Sequence, residues 1–193
     1  WVPYFGPGAL ERFSEPPRAK TEIAPAVYLA SNAHDLSGRN RYVAELMQHL
    51  PVDSYGRCLH NKDLPRDEGR QTKLETIARY KFTLAFENSI SKDYVTEKFF
   101  DPLIVGSVPV YLGAPNIDEF APGDHAFINV ADFDGPAHLA EYLRFLATHE
   151  EQYAEYLAWK SQPLREAFVQ MAEAVAEHPI ARLAALAAQR RNG

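Results

Sequence analysis

Phe82-Thr83-Leu84-Ala85-Phe86 is a short run in which only Thr83 is polar. The polar stretch Glu87-Asn88-Ser89-Ile90-Ser91-Lys92 follows it. From Tyr94 to Val105 the pattern is helical, with Asp93 placed to cap its start and Gly106 to stop it. Val108-Pro109-Val110-Tyr111-Leu112 is a second apolar run, closed by Gly113. Strand, polar turn, helix and strand in that order predict a parallel pair joined by a crossover. Proline donates no ladder hydrogen bond, so Pro109 is expected near the start of its strand or at a bulge.

The same alternation extends in both directions. Strands are predicted at 27–30, 52–55 and 126–130. Helices are predicted at 41–50, 72–79, 136–148, 150–160, 163–178 and 180–191. The fold class is therefore α/β with a mainly parallel sheet and helices on both faces. Residues 1–25, with Pro3, Pro7, Pro16, Pro17 and Pro25 as well as Gly6 and Gly8, have loop or linker composition. The expected organisation is a linker at 1–25, one domain at 26–170 and a helical tail at 171–193. In such sheets ligands meet the loops at the carboxyl ends of the strands. The loops of interest are 31–39, 56–62, 87–94 and 113–119.

Composition narrows the function classes. The 193 residues are 46% hydrophobic and 24% charged, a balance that supports a real core. A net charge of -6 argues against a nucleic-acid partner, because phosphate neutralisation needs a basic face. No long uncharged apolar run predicts a transmembrane segment. One cysteine, Cys58, excludes an internal disulfide framework and a multi-Cys zinc site; it reads as a small apolar group. Trp1 rather than Met at the start reads as processing or as a piece of a longer chain. The sequence holds no Gly-x-Gly-x-x-Gly, no Gly-Lys-Ser/Thr phosphate loop and no Gly-x-Ser-x-Gly elbow. No histidines pair as His-x-x-x-His, which disfavours a zinc helix.

Three clusters carry candidate chemistry. In 87–98, polar residues precede a helix whose free N–H groups and positive end suit a pyrophosphate. Lys98 could reach that anion, and Glu97 could accept from a sugar diol. The same residues read equally as a capped helix with solvated side chains. In 31–41, Arg39 and Arg41 flank a helix start and could hold a phosphate in a fork, or sit in solvent. In 55–57, Tyr55 and Gly56 could admit a flat base, or make a plain turn.

The strings Tyr80–Ser89, Asp93-Tyr94-Val95-Thr96-Glu97-Lys98-Phe99 and Gly106–Gly113 together resemble the signature of the α1,3/α1,4-fucosyltransferases, glycosyltransferase family 10. Ala126–Phe133, Tyr153–Lys160, Ser31-Asn32…Arg39 and Val52–Cys58 are similar to further parts of it. The resemblance runs from about residue 25 to 170. It implies a GT-B enzyme of two Rossmann-like domains, of which this chain is similar to the C-terminal, donor-binding half. The resemblance places the general base, a glutamate, in the other half, so no catalytic residue is assigned here.

The implied reaction is transfer of L-fucose from GDP-fucose to a hydroxyl of N-acetylglucosamine or glucose in a glycan, with inversion. By motif position, Arg39 and Lys98 are expected on the pyrophosphate, and Glu97 on ribose or fucose hydroxyls. Asn88 and Tyr94 are expected on pyrophosphate and fucose, with Thr96 among the phosphate-facing N–H groups. Tyr55 and Gly56 are expected at the guanine, with Ser31 and Asn32 completing the donor site. Glu87, Tyr111 and Asp132 are expected to be structural. Protein cations can meet the phosphate charge, so no metal or other cofactor is expected beyond the donor, GDP-fucose. The partners implied are the donor and an oligosaccharide or glycoconjugate acceptor. The family's extra C-terminal cysteines are absent, which points to a reducing compartment: the cytoplasm or the inner face of a bacterial membrane, with the Golgi lumen as the alternative. A silent nucleotide- or glycan-binding module and a transferase for another nucleotide-sugar are the competing readings.

Overall fold

Five parallel strands form the sheet, in the order β2-β1-β3-β4-β5. They are β1 (Ala26–Tyr28), β2 (Val52–Ser54), β3 (Phe82–Phe86), β4 (Val108–Leu112) and β5 (Ile128–Asn129). The structure is a computed structural model and describes residues 8–64 and 66–174. The helices are α1 (Ala9–Phe13), α2 (Arg39–Leu46), α3 (Arg70–Ile77), α4 (Glu97–Val105), α5 (Pro136–Thr148), α6 (Glu150–Glu155) and α7 (Glu166–Ala174). The predicted α/β class with a parallel sheet is the one observed.

Side chains of β3 divide between the two faces because successive strand residues point opposite ways. Phe82, Leu84 and Phe86 enter one core with Val43 and Leu46 of α2 and Leu139 and Leu143 of α5. Ala85 faces the other core, where Phe99, Phe100, Leu103 and Ile104 of α4 meet Phe13 and Phe168. A small residue on the strand leaves room for the aromatic side of α4. Full burial of each such large side chain stabilises by about 1.5–3 kcal/mol. Helix α3 closes a third cluster with Val27, Tyr55, Ile77 and Tyr80.

Several boundaries differ from expectation. Strand β1 ends at Tyr28, not residue 30. Only Ile128–Asn129 of the predicted 126–130 strand pairs, and a short 3-10 turn, Val130–Asp132, follows. The predicted 150–160 helix divides into α6 and a 3-10 turn at Ala158–Ser161. Helix α1 lies in a stretch read as loop; its Phe13 ring sits edge-on to Phe168 at 4.9 Å, a contact no local pattern reveals. Pro109 is the second residue of β4, and β5 joins β4 only from Val110 onward, so its missing N–H interrupts no bond on that side. Helix α7 lies within the predicted 163–178 helix. The predicted helix at 180–191, residues 175–193 of the tail and residues 1–7 of the linker lie outside the described residues.

The foot of α4 is anchored by two lysines. Lys160 Nζ donates to the carbonyls of Phe13, Leu103 and Ile104 at 2.7, 2.9 and 3.3 Å. Lys20 Nζ donates to Ala78 and Gly106 carbonyls at 2.9 and 2.7 Å. Both cations meet the negative ends of helices, where the unpaired carbonyls collect. Gly106 ends α4 with φ at 72°, a left-handed value that glycine takes without strain.

Candidate functional site

The chain leaves β1 toward β2 on one side and returns to β3 on the other, so the strand order reverses between β1 and β3. A crevice opens at such a switch point, outside the carboxyl ends of the strands. The loops that border it are 29–38 and 87–96, which lead into α2 and α4. Two helix N-termini therefore flank one crevice.

The two loops are stitched together. Leu36 and Ser37 backbone N–H groups donate to the Asn88 carbonyl at 2.8 and 3.1 Å. Ser37 Oγ donates to the Glu87 carbonyl at 2.6 Å. The Arg39 guanidinium bridges beneath them, from Nη1 to the Phe86 carbonyl at 2.9 Å and from Nη2 to the Asn32 carbonyl at 3.3 Å. Arg39 is only 2% exposed, and its Nε has no hydrogen-bond partner. Asp35 fixes the start of α2 by accepting from Arg39 N–H at 2.9 Å and from Asn40 Nδ2 at 2.7 Å.

The head of α4 is built around Glu87 and Thr96. Both oxygens of the buried Glu87 carboxylate are used, by Thr96 N–H at 2.7 Å and Thr96 Oγ1 at 2.8 Å. This is the structural role expected for Glu87. Burial pushes its carboxyl up from the usual range, opposed by the Lys98 cation and the Thr96 bonds. Thr96, not Asp93, is the N-cap; its Oγ1 accepts from Lys98 N–H at 3.3 Å. Asp93 takes a left-handed φ of 62° and cannot begin the helix. It pairs instead with Asn116: its N–H donates to Asn116 Oδ1 at 3.1 Å, and its Oδ1 accepts from Asn116 Nδ2 at 2.9 Å. That pair joins the loop after β3 to the loop after β4.

Lys98 Nζ lies 3.0 Å from Thr96 Oγ1, 3.2 Å from Glu97 and 3.4 Å from Glu87. Burial raises the Glu97 carboxyl, but Lys98 and then Lys73 outweigh it and hold that group below its usual value. Tyr94 is half-buried beside this cluster in sequence, and Asn88 presents a buried Oδ1 with no hydrogen-bond partner. Around the crevice lie Arg39, Asn88, Thr96, Glu97 and Lys98, five of the residues singled out from sequence; Arg39 and Thr96 are buried on protein partners, so the Arg39 guanidinium does not open toward a phosphate as expected. Ser31 and Asn32 lie exposed at its outer lip, in an open hollow shared with His34 and Arg57.

Tyr55 and Gly56 sit differently. The Tyr55 hydroxyl shares a 2.7 Å hydrogen bond with Tyr80, whose own hydroxyl donates to Asp53 at 2.6 Å. Lys62 completes that network with Asp53 and Glu22. The space a Cβ on Gly56 would need is taken by the backbone of Ala30, 2.0 Å away at its carbonyl oxygen. The close approach that Gly56 permits is therefore that of its neighbour strand's end.

Sequence reasoning missed Asp35, Ser37 and Lys73. An acidic residue shortly before a helix was a signal for Asp35. None existed for Ser37 or Lys73, whose partners lie far along the chain. Among the described residues, no three His, Cys, Asp or Glu come together to hold a metal ion, and no helix is long and apolar enough to cross a membrane.

Fold and crevice define a doubly wound domain in which the starts of α2 and α4, with Lys98, border one crevice. The chain belongs to glycosyltransferase family 10: residues 17–192 match the family described as "Glycosyltransferase family 10 (fucosyltransferase) C-term". It is 45% identical over 149 residues to the "GDP-fucose protein O-fucosyltransferase 3" of Gallus gallus, covering 73% of this chain and 31% of that protein. To the Homo sapiens protein of the same name it is 43% identical over 149 residues, 74% of this chain and 31% of that one. The chain thus spans 31% of the length of these curated relatives. Among solved structures, an α1,3-fucosyltransferase with GDP matches with TM-score 0.60 and 29% identity, over 69% of this chain and 38% of that one. An α1,3-fucosyltransferase with GDP-fucose matches with TM-score 0.62 over 81% of this chain and 48% of that one; at 24% identity it supports the fold.

Proposed function

We propose that this chain is the donor-binding part of a fucosyltransferase that uses GDP-fucose. The observation that carries the reading is the β1/β3 crevice, where the head of α4, capped by Thr96, presents Lys98 beside the start of α2. Departure of GDP from fucose builds negative charge on the β-phosphate. Preorganised N–H dipoles and a fixed ammonium stabilise that charge best where water is excluded. In this reading Lys98 and the head of α4 hold the diphosphate. Arg39 shapes the crevice from beneath and lends it positive charge. Glu97 accepts from ribose or fucose hydroxyls, and Asn88 and Tyr94 complete the sugar side. Ser31 and Asn32 line the outer lip, with Tyr55 and Gly56 behind the base.

For the acceptor, the 43–46% identity to vertebrate protein O-fucosyltransferases favours a hydroxyl on a protein. The 29–30% identity to α1,3-fucosyltransferases supports the second reading, an N-acetylglucosamine or glucose hydroxyl in a glycan with α1,3 or α1,4 linkage. Similarity to vertebrate proteins also favours the lumenal alternative over a bacterial cytoplasm. Inversion, with a base supplied by another domain, follows the family resemblance. Calorimetry on the 193-residue chain tests the donor: GDP is expected to bind and UDP to bind more weakly. Equal binding of both, or no heat with GDP, overturns the reading.

A further inference from the structure

Acidic and basic groups alternate in a row from α3 across α4 to the end of β3. Arg70 lies 2.6 Å from Asp101, and Lys73 lies 3.0 Å from the other oxygen of that carboxylate. Lys73 Nζ is also 4.0 Å from Glu97, which in turn is 3.2 Å from Lys98, itself 3.4 Å from Glu87. Asp101 is buried, with 1% of its side chain exposed. As the structure stands, Lys98 is spent on protein oxygens. A diphosphate must draw its ammonium away from Glu97, which would leave a part-buried carboxylate short of positive charge. Lys73 is the neighbour able to take that charge: it already lies 4.0 Å from Glu97, and Arg70 keeps its contact with Asp101 Oδ1 when Lys73 leans toward Glu97.

We propose that Lys73 is a positioning residue for the donor site: it neutralises Glu97 so that Lys98 can turn to a diphosphate. Lys73 itself touches no phosphate. The proposal rests on the donor-site reading above and adds a residue to it.

A double-mutant cycle between Lys73 and Glu97 tests this, because coupling through one carboxylate vanishes when that carboxylate is removed. The probes are GDP and inorganic pyrophosphate, which carries no ribose for Glu97 to hold. Binding to the 193-residue chain is followed by calorimetry. Lys73→Met is expected to weaken pyrophosphate and GDP about three- to fivefold, the upper range for a partly exposed charge pair. Lys73→Arg is expected to bind within about twofold of the parent. On the Glu97→Gln background, Lys73→Met is expected to leave pyrophosphate affinity unchanged. Thermal melts report any loss of fold, and Lys73→Arg keeps the Asp101 partner. Unaltered affinity in Lys73→Met overturns the proposal, as does a loss that persists in full on the Glu97→Gln background, which would mean direct contact or damage through Asp101. Failure of the parent chain to bind GDP overturns the donor-site reading and this inference together, whereas parental binding with a silent Lys73→Met overturns the inference alone.

Discussion

Glu87 and Thr96 are joined twice, at 2.7 Å through the Thr96 N–H and at 2.8 Å through its hydroxyl. One side chain thereby ties the first residue after β3 to the cap of α4, and the loop between them is held at both ends. The carboxylate is fully buried, so its bonds have no water to replace them. The anion-facing end of α4 therefore depends on a residue that need not touch an anion.

Glu87→Ala should strip Thr96 of both bonds and leave a buried N–H unpaired. Bonds to a charged group contribute about 1.5–3 kcal/mol each, and part of that is regained by local relaxation. A loss of about 2–4 kcal/mol in unfolding free energy is expected from urea titration. A loss below about 0.5 kcal/mol, the scale of an ordinary surface substitution, would contradict the role given to this pair.

Arg39 and Lys98 should separate into two phenotypes. Lys98 is partly exposed and Glu87 keeps both its Thr96 bonds without it, so Lys98→Ala should weaken GDP binding roughly tenfold or more while lowering the thermal midpoint less than Arg39→Ala does. Arg39 links the end of β3 to the loop after β1 from a buried position, so Arg39→Ala should lower both GDP affinity and stability, the latter by about 2–3 kcal/mol. Calorimetry and melts on the two variants check this; identical behaviour in both assays would refute the division of labour.

Gly56→Ala should act as an overpacking change, since its new methyl meets Ala30 backbone rather than a flexible side chain. A cost of about 2–3 kcal/mol is expected in equilibrium unfolding. A neutral result would show that the ends of β1 and β2 can move apart freely.

Lys160 should give the protein a pH signature. Burial lowers its pKa from the usual 10.5 to about 8, with Glu15 opposing the shift. Lys20 is lowered likewise to about 8, first by burial and then by Lys160. Between pH 8 and 10 the unfolded chain holds protons that the folded one has released. Unfolding free energy should therefore rise with pH across that window. Below pH 8 both states are protonated and the contribution is flat. Urea unfolding at pH 8, 9 and 10 should show the rise in the parent and a flatter profile in Lys160→Met. A parallel slope in the two proteins would contradict the assignment.

Pattern alone located β3 and β4 at their observed bounds, because each is a short apolar run with sharp limits, β3 between Lys81 and Glu87 and β4 between Ser107 and Gly113. It also found α5 at 136–148, where one stripe of Leu139, Leu143 and Leu146 repeats at helical spacing. The start of α4 escaped it. Asp93 and Thr96 both have side chains that cap helices, and what decides between them is Asn116, which lies beyond β4. Helix α1 escaped for the same reason, since Phe13 is held by α7 rather than by its neighbours in sequence.

The order of residues determined the alternating α/β plan and the parallel sheet, and it set the candidate stretch 87–98 on the turn before α4, since each follows from local periodicity and turn chemistry. Only the tertiary structure decided that Arg39 is a buried brace, that Tyr55 turns inward to Tyr80, and that Lys73 stands within reach of Glu97. Side-chain partnership across the chain depends on distances in space, and a charged residue reads the same in sequence whether it faces water, a carbonyl or another charge.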